Sequence, residues 1–134
     1  MGIFPDLDIQ LFFPAEIHVN LMPPVPQKLL VPARAGIALK YRGMQDLTLV
    51  VANSCEVFDW EVRNSAGQVI DGDKDDLCLQ VMQTLTLHPG DHIRRDTTAL
   101  LNGKSLQSGG TYSFRLHYFR QIQAEQQFSV RVLQ

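Results

Sequence analysis

The sequence predicts an all-β fold, a two-layer sandwich of antiparallel strands. Apolar and polar residues alternate with period two along most of the chain, as they do in strands with one buried and one solvated face. Turn-forming residues separate these runs at the spacing of antiparallel connections. Helical periodicity is nearly absent. We expect seven or eight strands, and a small closed barrel is the competing architecture.

The elements follow in order along the chain. Residues 1–15 are unusually apolar, and Pro5 and Pro14 restrict this segment to an edge strand or a contact with a partner. The alternating runs cover residues 16–21, 37–42, 47–51, 58–63, 77–87, 112–118 and 128–132. The turns between runs are expected at PPVPQ (23–27), NSAG (64–67), HPGD (88–91), NGK (102–104) and SGG (108–110).

The aromatic residues share the parity of the core. Phe58, Trp60 and Val62 alternate with charged residues, and Phe114 and Phe128 occupy equivalent positions in later runs. This placement predicts that Trp60 is buried rather than part of a sugar-stacking surface. Carbohydrate binding stays open as an alternative function that requires an exposed Trp60.

Length and charge limit the classes of function. The 134 residues suit one domain, 1–134, and 12 basic against 14 acidic side chains give no footprint for nucleic acid or an anionic membrane. Neither a membrane-spanning apolar stretch nor a secretory signal is present, so we expect a cytoplasmic protein. Cys55 and Cys78 are too few for a disulfide framework and are expected to be reduced and partly buried. A disulfide between them would instead indicate an oxidising compartment.

The residues that carry chemistry form no complete site. Asp71, Asp73 and Asp75 have the spacing of the first ligands of a calcium loop, but the glycine and the glutamate that such a loop needs are missing. We therefore predict no metal, with these three as weak candidates, and an acidic turn that protects strand edges. His18, His88, His92 and His117 form no compact ligand motif.

Motifs for catalysis and cofactors are missing as well. The chain has no G-x-S-x-G elbow and no phosphate-binding loop. We predict that it is not an enzyme and has no cofactor.

The connection from His88 to Gly110 is the candidate partner-binding region, because loops at the ends of a sandwich commonly form binding surfaces. It mixes charged residues with the adjacent Leu100 and Leu101. The candidate contacts are Arg94, Arg95, Thr97, Leu100, Leu101 and Asn102. An additional strand that buries the leucines explains the same residues equally well, and the sequence leaves both open.

Residues 47–118 resemble the BsuPI-type intracellular proteinase inhibitor domain. The resemblance rests on VFDWEV (57–62), the turn in RNSAGQVI (63–70), LCLQVMQTLTLHPGD (77–91) and NGKSLQSGGTYSFRLHY (102–118). It implies an immunoglobulin-like antiparallel β-sandwich, an intracellular bacterial setting and inhibition of a serine proteinase by a docking loop. No individual inhibitory residue is implied.

The predicted function is therefore non-catalytic binding of a protein partner, with a serine proteinase as the special case that the resemblance implies. A structural subunit that assembles through the apolar N-terminal segment is one alternative. A carbohydrate-binding module is the other.

Overall fold

The fold is described from a computed structural model that covers residues 4–74 and 77–133. Within these residues all regular structure is β, apart from two short 3₁₀ turns at Ser54–Glu56 and Gly103–Ser105. The strands are β1 (Leu7–Phe12), β2 (Glu16–Asn20), β3 (Leu30–Tyr41), β4 (Leu47–Val51), β5 (Phe58–Arg63), β6 (Val69–Gly72), β7 (Gln83–Leu87), β8 (His92–Asn102), β9 (Thr111–Tyr118) and β10 (Ile122–Leu133). The all-β prediction is confirmed, whereas these ten strands exceed the seven or eight expected.

Two larger sheets and one strand pair form the sandwich. The first sheet has the order β1-β3-β8, the second has the order β2-β10-β9-β5-β6, and β4 pairs with β7. The β4–β7 pair continues the β3–β8 ladder, because Lys40 lies opposite His92 and Leu47 lies opposite Leu87 after the intervening turns. Every strand pair is antiparallel except β2 with β10, which is parallel.

The N-terminal segment contributes to both sheets. β1 pairs along its whole length with β3, and β2 pairs with β10 in the other sheet. Phe13 lies at the crossing between them, where its ring stacks on Phe114 with centroids 3.9 Å apart. Leu7 and Phe13 are therefore part of the core, and Phe4, Ile9 and Leu11 pack partly buried against it.

The buried residues match the predicted inward positions. Val62, Phe114 and Leu116 are fully buried, and Trp60 is 5% exposed, so its predicted burial is confirmed. Gly67, Gly90 and Gly109 have positive φ in the turns expected at NSAG, HPGD and SGG, a conformation that favours glycine.

The run 77–87 is only half a strand. β7 covers Gln83–Leu87, while residues 77–82 leave the ladder and are irregular. The prediction of a strand over 77–82 is wrong, because the alternation there is not matched by a facing sheet.

Candidate functional site

The region predicted to bind a partner is mostly strand. β8 pairs with β3 from Lys40–His92 to Leu30–Asn102, so the chain between His88 and Gly110 is not a free loop. Of the two interpretations that the sequence left open, the structure shows the additional strand.

The candidate residues on β8 point in different directions. Leu101 is fully buried and belongs to the core, so it does not contact a partner; Leu100 is 43% exposed. Asn102 is half-buried, its backbone N–H donating to Asp71 Oδ2 at 2.7 Å. Of the six predicted contacts, Leu101 is buried, whereas exposed or half-buried positions are occupied by Arg94, Arg95, Thr97, Leu100 and Asn102.

Arg94 lies on the outer face of the β1-β3-β8 sheet. Its guanidinium carbon is 4.1 Å from the centroid of the Phe12 ring, and its Nε donates to Asp96 Oδ1 at 3.3 Å. Gly36 faces this pair, and a Cβ there would clash with the Asp96 carboxylate. These contacts surround a shallow depression of about 390 Å³. The Arg94 side chain therefore contacts residues of its own sheet.

Arg95 has the opposite parity and reaches toward Tyr118. Burial raises the pKa of Tyr118 above its ordinary value of 10.0, and the Arg95 guanidinium partly opposes this by its charge and a hydrogen bond. Thr97, between these two arginines and the core residue Leu101, is half-buried. Arg95 on β8 therefore interacts with Tyr118 on β9, which belongs to the other sheet.

The acidic run closes an edge of the sandwich. Asp71 accepts hydrogen bonds from Lys74 Nζ at 2.5 Å, from Gly72 N at 2.9 Å and, through its other oxygen, from Asn102 N. Lys74 Nζ also donates to the carbonyl of Leu100 at 3.2 Å. Asp71 and Lys74 thereby occupy backbone groups at the end of β8, an arrangement that blocks pairing with another chain.

Of the remaining two calcium candidates, the structure describes Asp73 but not Asp75. Asp73 donates its backbone N–H to Trp60 O at 3.0 Å, whereas Asp75 lies outside the described residues. Over 4–74 and 77–133, no group of three His, Cys, Asp or Glu side chains could hold a metal ion.

A different part of the chain presents the exposed apolar side chains. Residues 77–82, here called the apolar segment, contain Leu77 at 94%, Leu79 at 69%, Val81 at 58% and Met82 at 68% exposure. Val50, which pairs with Thr84 on the neighbouring strands, is half-exposed. Such a concentration of exposed apolar residues is typical of an interaction site.

A disulfide and two hydrogen bonds hold the apolar segment. Cys55 and Cys78 are bonded, with their Cα atoms 5.3 Å apart, and the expectation that both are reduced is wrong. Ser54 Oγ accepts from Leu79 N at 2.8 Å, and Ser54 N donates to Leu79 O at 3.0 Å. Folding brings together two cysteines that are 23 positions apart, which composition alone does not indicate.

A polar depression of about 570 Å³ adjoins the disulfide. Both cysteines form part of its wall, and Arg120 Nη1 donates to Glu56 Oε1 there at 3.1 Å. The other lining residues are Asn53, Asp59, His117 and Gln123.

Of the four histidines, only His117 lines this depression, and His18, His88 and His117 each lie close to a carboxylate. His88 Nδ1 lies 2.8 Å from Asp46 Oδ1 and joins the HPGD turn to the β3–β4 connection. The hydrogen bond and the charge of Asp46 raise the pKa of His88 above 6.5. His18 Nε2 lies 2.6 Å from Glu16 Oε1, and His117 Nε2 lies 3.8 Å from Glu61 Oε1.

Comparison with known proteins gives the fold and nothing more. No protein-family model matches the chain, and no curated protein matches it. Among solved structures, a β-glucosidase from Listeria innocua aligns over 95% of this chain with a TM-score of 0.53 at 7% identity. An alkylpurine DNA glycosylase from Pseudomonas fluorescens bound to DNA aligns over 94% with a TM-score of 0.53 at 12% identity. A β-glucosidase from Erythrobacter marinus aligns over 92% with a TM-score of 0.51 at 13% identity.

The chain corresponds to a small part of each of these structures. It spans 16% of the Listeria chain, 15% of the Erythrobacter chain and 30% of the Pseudomonas chain. At these identities the likeness shows a shared β fold, not a shared activity. Across the described residues, no helix has the length and apolar character required to cross a membrane.

Proposed function

We propose that this chain is a non-catalytic, protein-binding β-sandwich that presents the apolar segment to a partner. The observation that carries the proposal is the exposure of Leu77, Leu79, Val81 and Met82 on one short segment. Apolar side chains held in water at a fixed place gain free energy when a partner covers them. The tether through Cys78 lowers the ordering cost that a free segment would incur on binding.

Inhibition of a serine proteinase is the special case of this proposal. It is supported by the resemblance to the BsuPI-type domain and by the irregular, exposed chain between Leu77 and Met82. Proteinase clefts bind exposed, extended chain, and several accept a large apolar side chain in their principal pocket. The immunoglobulin-like form belongs to the same proposal. It is supported by the two sheets and by the switch of the N-terminal strands between them.

The two alternatives have less support. Assembly through the N-terminal segment would require free apolar residues, but Leu7 and Phe13 are buried in the sandwich. Carbohydrate binding was tied to an exposed Trp60, whose ring lies in the core beneath Lys74. These observations support binding through the apolar segment over both alternatives.

The test compares two double variants of equal chemistry. Leu79→Ser/Val81→Ser removes apolar surface from the apolar segment, whereas Met44→Ser/Val69→Ser removes exposed apolar surface from other elements. Each variant and the wild type are immobilised and incubated with the host lysate. Inhibition of chymotrypsin, trypsin and subtilisin is measured in parallel. We expect a protein that the wild type and the Met44/Val69 variant retain and the Leu79/Val81 variant loses.

Inhibition of one proteinase by the wild type and the Met44/Val69 variant, but not by the Leu79/Val81 variant, would establish the special case. Equal retention of every captured protein by all three would show that the apolar segment is not the binding surface.

A further inference from the structure

The Cys55–Cys78 disulfide lies outside the core. It joins the 3₁₀ turn Ser54–Glu56 to the apolar segment, and both cysteines are half-buried. The ladders on either side are complete without it: β4 pairs with β7 from Leu47–Leu87 to Val51–Gln83, and β5 pairs with β9 from Phe58–Tyr118 to Arg63–Ser113. The bond therefore fastens a surface segment instead of joining the two sheets.

The disulfide borders a surface depression. Both cysteines line the polar depression of about 570 Å³, which is open to water and large enough for a small thiol. Disulfide exchange requires a thiolate to approach one sulfur along the S–S axis, so access is the first condition for reduction. Buried structural disulfides lack this access.

The charges around the depression are mixed. Arg120 and His117 are its cationic or titratable basic groups, and Glu56 and Asp59 are its carboxylates, with Arg120 paired to Glu56. A neighbouring guanidinium stabilises a thiolate that leaves a disulfide. The carboxylates act in the opposite direction.

We propose that the Cys55–Cys78 bond is a reducible clasp that controls how the apolar segment is presented. The clasp is inferred from its own geometry, and only its consequence for binding rests on the proposed function. One thiolate of a dithiol reductant attacks one cysteine sulfur, which breaks the S–S bond and forms a mixed disulfide while the other cysteine leaves as a thiolate. The second thiol of the reductant resolves the mixed disulfide. The two thiol hydrogens of the reductant end on Cys55 and Cys78, and the reductant becomes a disulfide.

Reduction leaves the apolar segment with little to hold it. In the oxidised form the covalent bond at Cys78 and the two hydrogen bonds between Ser54 and Leu79 act on adjacent residues. Without the bond, the segment keeps those two hydrogen bonds and one from Gln83 Nε2 to the carbonyl of Val81 at 3.3 Å, and such surface contacts open readily. In reducing cells, persistent disulfides are uncommon and those that form are usually transient or redox-sensing. A permanent Cys55–Cys78 disulfide would indicate an oxidising compartment, whereas a clasp that is reduced and re-formed would also function in a reducing one.

The experiment follows cleavage of the apolar segment without any partner. Wild type is digested with a trace of chymotrypsin, with and without dithiothreitol as the dithiol, and cuts after Leu77, Leu79 and Met82 are mapped by mass spectrometry. Circular dichroism under the same conditions reports the sandwich. The double variant Cys55→Ser/Cys78→Ser is treated identically and serves as the permanently unclasped form.

We expect dithiothreitol to accelerate cleavage at these sites of the wild type at least about tenfold, with the β spectrum unchanged. The double variant should be cleaved at the fast rate in both conditions. Equal cleavage of oxidised and reduced wild type would overturn the clasp. Loss of the β spectrum on reduction would overturn it too, because the bond would then be a staple for the whole domain. A working clasp with no partner found in the capture assay would reject the proposed function alone.

Discussion

At the scale of single residues, Leu100 and Leu101 show that two identical side chains in one strand can differ completely in burial. They are adjacent leucines on β8, yet Leu101 is fully buried and Leu100 is 43% exposed. The alternation of a strand sends one side chain into the core and the next to the surface. The same pair therefore provides its own control.

Leu101→Ala should lower the free energy of unfolding by about 2–5 kcal/mol, since it leaves a cavity between the sheets. Leu100→Ala should lower it by less than about 1 kcal/mol. Urea unfolding followed by tryptophan fluorescence measures both, because Trp60 is buried in the folded state. Similar losses for the two variants would contradict the assigned parity of β8.

His88 is the residue at which pH should act most directly. Its pKa is raised by the hydrogen bond and charge of Asp46, with a smaller contribution from the charge of Asp91. Because the folded pKa lies above the unfolded value of 6.5, the stabilisation is fully present below pH 6.5 and is lost as pH rises through the folded pKa. An NMR titration should show the raised pKa of His88, and Asp46→Asn should bring it back toward 6.5. An unchanged pKa in that variant would show that the pair does not form in solution.

At the scale of elements, the free edge of β8 is protected by side chains instead of a further strand. Asp71 accepts from the N–H of Asn102, and Lys74 donates to the carbonyl of Leu100. Unpaired strand edges attract other chains, and charged side chains are a common protection. The acidic run thus has a structural role at the point where the sequence hinted at a metal.

Asp71→Ala should destabilise the domain by about 1–3 kcal/mol, since the half-buried N–H of Asn102 loses its acceptor. It should also raise self-association, measured by light scattering after size-exclusion chromatography. Asp6→Ala, at an exposed aspartate whose side chain makes no hydrogen bond or ion pair with the described residues, is the matched control. A monomeric Asp71→Ala protein of wild-type stability would remove the edge-protecting role.

At the scale of the whole molecule, alternation predicts those strands that have a sheet on one side and water on the other. β4 and β5 occupy the predicted bounds 47–51 and 58–63. The same pattern misleads at Leu77, Leu79 and Val81, because local alternation carries no information on whether a second sheet faces the strand. β8 has the opposite difficulty, since the polar Arg95 and Thr97 stand at the parity of the buried Leu101 and hide its periodicity.

Contacts between distant residues could not be predicted from local alternation for a related reason. The turn between β9 and β10 places Phe119 and Arg120 at positive φ without a glycine or asparagine to signal it. The Cys55–Cys78 bond and the exposed apolar segment exist only because β4, β5 and β7 bring their ends together. The candidate site therefore lies at residues 77–82 and not on β8, which the local sequence pattern does not indicate.

The N-terminal segment provides the last test, because its role affects both sheets. Deleting residues 1–12 removes β1, exposes one edge of β3 and uncovers Ile37 and Leu39, which pair with β1 residues. We expect a large loss of stability or failure to fold, since an edge and part of the core are lost together. Thermal unfolding and light scattering should be compared with Asp8→Ala/Gln10→Ala, which keeps the strand and alters only exposed side chains. A deletion that stayed folded with wild-type stability and changed only its oligomeric state would favour the assembly alternative over the binding function proposed above.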